Sequence, residues 1–233
     1  MFWTKRDSAP RYLLMKFYIR LDETTWRQCI EQVVASFLAV HPVAAAGDSI
    51  RQRLARLRFP DFEFIVTDDS AVYYEVAMVT RFHSGGAKHP YEVVFRMPLT
   101  DSPSTLFERR VKSLIAAVPA LLYGYGRVLE GNVSPSEIEV RRTIFGGTRI
   151  KIERIEDVWM QAPASIFEGA MKGVYTLNVV QDAKLGEATV SRLLKAGRAR
   201  PVKGSSLCIV EYDTETLPQL RRAHRTLAKY IRD

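Results

Sequence analysis

Seven residues, His83-Ser84-Gly85-Gly86-Ala87-Lys88-His89, combine paired glycines, a lysine and two histidines, which is the local chemistry of a phosphate cradle or a metal clip. A phosphate loop needs Gly-x-x-x-x-Gly-Lys-Ser/Thr between a strand and a helix, so that helix amides face the anion. Here strand-like runs flank the segment and His89-Pro90 follows the lysine, so it reads as a hairpin loop. A catalytic zinc usually takes a third protein ligand, and none stands out beside His83 and His89. They read as exposed loop histidines, and no metal site is assigned. Gly146-Gly147 fits a turn no less simply.

Covalent chemistry fares no better. A nucleophile needs an activating base and an orienting group. Cys29 lies between Gln28 and Ile30 on an amphipathic stretch, and no Gly-x-Ser-x-Gly elbow occurs. Cys29 and Cys208 both have apolar neighbours and read as small core residues. Asp68/Asp69 and Glu156/Asp157 have the look of turn chemistry. No catalytic residue and no cofactor motif is assigned, and the chain leans away from an enzyme.

What remains is charge. The 233-residue chain carries a net charge of +8, concentrated late: Ala183 to Asp233 holds eleven Lys or Arg against five Asp or Glu. Such a surface suits an acidic protein, nucleic acid or an anionic membrane, and equally a solvated face. The closing helix, Leu217–Ile231, buries Leu217, Leu220, Ala223, Leu227, Tyr230 and Ile231 by its spacing. That leaves Arg221, Arg222, Arg225 and Lys229 outward. These four, with His83, Lys88 and His89 of the exposed loop, are the candidate partner-binding residues.

The elements that must carry them follow from periodicity. An apolar fraction of 47% with 26% charged residues is that of a globular chain. Leu13–Arg20 alternates as a strand, with Leu14, Lys16, Tyr18 and Arg20 on one face. Asp22 to Thr25 offers oxygens to the first free amides of a helix over about Trp26–Val40, which Pro42 ends. Ser49–Arg58 fits a short basic helix with Arg51, Arg53, Arg56 and Arg58 around Ile50, Leu54 and Leu57. Phe62–Thr67, Val72–Thr80 and Tyr91–Met97 read as an antiparallel meander. A helix opens at Pro103 and closes at Pro119. Tyr123-Gly124-Tyr125-Gly126 implies a close backbone approach. Ile138–Phe145 and Thr148–Ile155 fit a hairpin or part of an irregular crossover. The chain ends strand (Val174–Val180), helix (Glu187–Lys195), strand (Leu207–Tyr212), helix.

This pattern is α+β: an antiparallel sheet with helices on one face, either two related β-α-β-type halves over 1–131 and 132–233 or one compact domain. Met1–Arg20 has scattered charges and no uninterrupted apolar core, so it is no signal peptide. Val33–Ala46 is too short to span a bilayer. A cytoplasmic setting is the expectation.

Three pieces together resemble a family. Tyr91–Leu99 ends in Met-Pro-Leu and is followed by a helix and Tyr123-Gly124-Tyr125-Gly126. Later, Gly173-Val174-Tyr175-Thr176-Leu177-Asn178-Val179-Val180 runs into Leu185-Gly186. The order is similar to that of the type VI secretion immunity family of bacteria, over most of the chain. Tyr175 stands where that family has tryptophan, Glu187 where a second glycine often follows, and Glu211-Tyr212-Asp213 where a Gly-Asp is expected. The resemblance implies a non-enzymatic immunity protein that binds a cognate toxin and occludes its active cleft, with an acidic patch on the toxin meeting the basic chain. The alternatives are a nucleic-acid-binding protein using the basic C-terminal face, and a structural subunit of a phage or secretion assembly anchored by the aromatic N-terminal arm.

Overall fold

The computed structural model describes residues 11–39, 47–60, 62–67, 73–78, 90–118, 121–130, 139–142, 148–151, 173–181 and 197–220. Its centre is strand β1 (Arg11–Ile19), which has a strand on either side. Helix α1 (Trp26–Leu38) follows, started by Asp22: Oδ1 accepts the amides of Thr24 at 3.0 Å and Thr25 at 2.8 Å. These bonds order the turn that leads into the helix, while its N-cap residue Thr25 makes no side-chain capping bond. Helix α2 (Gly47–Arg56) comes next. The meander is β2 (Glu63–Thr67), β3 (Tyr73–Met78) and β4 (Tyr91–Pro98), each antiparallel to its neighbour. Helix α3 (Pro103–Ala117) has Pro103 in its first turn, and Ser102 Oγ accepts the amide of Thr105 at 3.2 Å.

Strand β5 (Leu121–Glu130) returns along the other side of β1. A small hairpin, β6 (Glu139–Arg142) with β7 (Thr148–Lys151), stands apart from the main sheet. Strands β8 (Leu177–Gln181), β9 (Arg198–Pro201) and β10 (Leu207–Glu211) complete an eight-stranded antiparallel sheet in the order β2-β3-β4-β1-β5-β8-β10-β9. The fold is α+β. One sheet runs through strands from both sides of residue 131, because β5 pairs with β8.

Helices α1, α2 and α3 share one face of this sheet, while the start of the closing helix, at Leu217, joins the tyrosine cluster on the other. Leu13, Met15, Phe17 and Ile19 meet Val33, Phe37, Phe107 and Leu114 in the main core. Phe17 packs edge-on to Phe95 and stacks on Phe107, with centroids 5.8 Å and 5.5 Å apart. Two glycines make room for this. Gly124 lies opposite Phe17 and Gly126 opposite Met15. A Cβ at Gly124 would collide with the Phe17 ring, and one at Gly126 would sit 2.8 Å from Phe107 Cδ2. The close approach expected of Tyr-Gly-Tyr-Gly is therefore a strand passing beneath two phenylalanines. The Tyr-Gly-Tyr-Gly pattern, which lacks apolar alternation, is thus part of a ten-residue strand.

The opposite face carries the tyrosines of the same motif. Tyr18 stacks on Tyr123 at 5.9 Å, and Tyr125 on Tyr175 at 3.7 Å. Buried Lys16 and half-buried Glu92 form an ion pair at 3.3 Å, and the Tyr18 hydroxyl donates to Glu92 at 2.6 Å. Both faces of β1 are thus buried, although its alternation suggested one polar face.

Candidate functional site

All seven candidate partner-binding residues, Arg221, Arg222, Arg225, Lys229, His83, Lys88 and His89, lie outside the described residues. So do the turns at 68–70 and 84–86, the helix over 187–195 and all but the start of the closing helix. Cys29 is buried in the core, and burial raises its thiol pKa, which disfavours the nucleophilic thiolate. Cys208 is half-buried on β10. Among the described residues no group of three His, Cys, Asp or Glu is placed to hold a metal ion, and no helix is long and apolar enough to cross a membrane.

The tyrosine face has the residue types of a site but not the openness of one. Lys16, Glu92 and Tyr18 bond one another, Asn178 Nδ2 donates to the Tyr175 carbonyl at 2.7 Å, and the Tyr123 hydroxyl donates to the Gly173 carbonyl at 2.8 Å. Every member is buried or nearly so. Polar groups satisfied in this way hold a sheet together.

The exposed chemistry gathers at α2. Its sequence, Gly-Asp-Ser-Ile-Arg-Gln-Arg-Leu-Ala-Arg, sinks Ile50 into the core with Leu54 half-buried behind it. Arg51, Arg53 and Arg56 are left exposed, as is Arg58 just beyond the helix. The short basic helix expected over Ser49–Arg58 is present, displaced by two residues.

Neighbours fix this helix firmly. Arg27 of α1 donates to the carbonyls of Leu54 at 3.0 Å and Leu57 at 3.4 Å, while its guanidinium lies 4.7 Å from the centre of the Trp26 ring. Arg58 donates to the Ala55 and Leu57 carbonyls. Two cations therefore cap the negative end of the α2 dipole. Arg53 reaches the edge strand, donating to the Ile65 carbonyl at 2.6 Å with its guanidinium over Phe64. Beyond α2, Phe59 and Phe62 pack on Trp26 and Tyr91, and the Tyr91 hydroxyl donates to the Pro60 carbonyl at 3.0 Å.

Five arginines thus crowd one end of the sheet, and none pairs with a carboxylate among the described residues. Arg27, Arg53 and Arg58 are engaged with backbone carbonyls. Arg51 and Arg56 have no hydrogen-bond or ion-pair partner there. The sequence showed the arginines but not the division, since the acceptor carbonyls come from packing between elements.

No protein-family model, no curated protein and no solved structure matches this chain.

Proposed function

We propose that this chain is a binding protein of the immunity type: it docks an acidic surface of a cognate bacterial toxin and blocks it by occlusion, working in the cytoplasm and performing no reaction of its own. The observation that carries the reading is the pair of exposed arginines, Arg51 and Arg56, which have no hydrogen-bond or ion-pair partner among the described residues, on a helix that hydrogen bonds from Arg27 and Arg53 tie to its neighbours. Arginines placed without carboxylate partners are available to carboxylates from outside, and a pre-ordered scaffold reduces the entropy lost on docking. The net charge of +8 favours fast encounter with an acidic partner. The resemblance in Tyr91–Leu99, Tyr123–Gly126 and Gly173–Val180 supplies the toxin as the class of partner.

The test is purification of the tagged chain from its host with and without nuclease, followed by reconstitution. The expected outcome is one stoichiometric, nuclease-resistant protein whose toxicity the chain abolishes when the two are co-expressed. Recovery that vanishes with nuclease would move the basic surface to nucleic acid. A regular homomultimer without a partner would favour an assembly subunit.

A further inference from the structure

We draw no further inference here: the strongest candidate, the side-chain cluster of Lys16, Glu92, Arg96 and Arg127 on the tyrosine face of β1, β4 and β5, is buried or half-buried, and nothing among the described residues shows what covers it.

Discussion

Arginine does two different jobs at the two ends of the sheet. At the β2 end, Arg27, Arg53 and Arg58 donate to backbone carbonyls of α2, the residues after it and the edge strand. At the β9 end, Arg200 reaches Glu108 of α3 at 3.2 Å and Glu211 of β10 at 3.6 Å, and also donates to Ser104. The first end is braced by cations that face no carboxylate among the described residues. At the second, Arg200 is matched by two carboxylates. An exposed positive charge is thus no guide to function until its acceptor is known.

The edges differ in the same sense. Arg53 occupies the Ile65 carbonyl of β2. On β9 every residue is exposed. The Val202 amide bonds to the Leu207 carbonyl, so by antiparallel alternation Ala199 and Pro201 turn their backbone groups away from β10. Pro201 offers no N–H there, and arginines flank Ala199. A short strand of this composition resists pairing with a stray chain. Each edge thus carries a feature that discourages further pairing, and the two use arginine differently.

The contrast needs a common centre, and Gly124 is where to break it. Gly124→Ala forces a methyl group into the Phe17 ring, with the Lys16 carbonyl 3.0 Å away on the other side. Overpacking of this kind should cost about 3 kcal/mol. Because β5 joins β1 to β8, amide exchange should accelerate at both ends together. Acceleration at one end alone would show that the ends are independent units and that the comparison lacks a shared frame.

Arg27→Ala should then separate them. It removes two charged hydrogen bonds to the end of α2, with a loss of about 2 kcal/mol. Exchange should rise at α2 and β2 while Ile209 and Val210 of β10 keep their protection. Equal loosening at β10 would mean that Arg27 supports the whole core and not α2 in particular.

How much of this could be read beforehand follows from where each signal resides. Strand β1, helices α1 and α3 and the meander announce themselves because apolar periodicity is a local property. Strand β5 was missed because Tyr-Gly-Tyr-Gly reads as a loop, and its glycines only make sense once Phe17 and Phe107 stand above them. Strand β9, Arg-Ala-Arg-Pro, has no apolar alternation to detect and is a strand only because β10 pairs with it. The burial of Lys16 depends on Glu92, 76 residues away. The basic helix at α2 was legible. Which of its arginines are available was not, because a guanidinium's partner is set by tertiary packing.

The smallest expected effect distinguishes the ends by pH. Glu108 has its pKa held below the ordinary 4.5 by the hydrogen bond from Lys112 and by the nearby positive charges of Lys112 and Arg200. A carboxylate whose folded pKa is depressed contributes stability above its unfolded pKa, and that contribution fades as pH falls through the folded value. Acidification below about pH 4.5 should therefore loosen β9 and its contact with α3. The α2 end, braced from arginine to carbonyl, holds no such titrating group in those contacts. Asp22 at the start of α1 titrates later, near pH 2, because the hydroxyls and amides of Thr24 and Thr25 stabilise its carboxylate. The measurement is the acid shift of the Arg200 and Arg27 side-chain resonances. Arg200 should move as Glu108 protonates and move less in Glu108→Gln, where Glu211 remains its only carboxylate contact among the described residues, while Arg27 stays still throughout. Exposed pairs of this kind are worth under about 1 kcal/mol, so the effect should be local and should disappear in high salt. An Arg27 signal that tracked Glu108 would erase the distinction, making both ends parts of one electrostatic network.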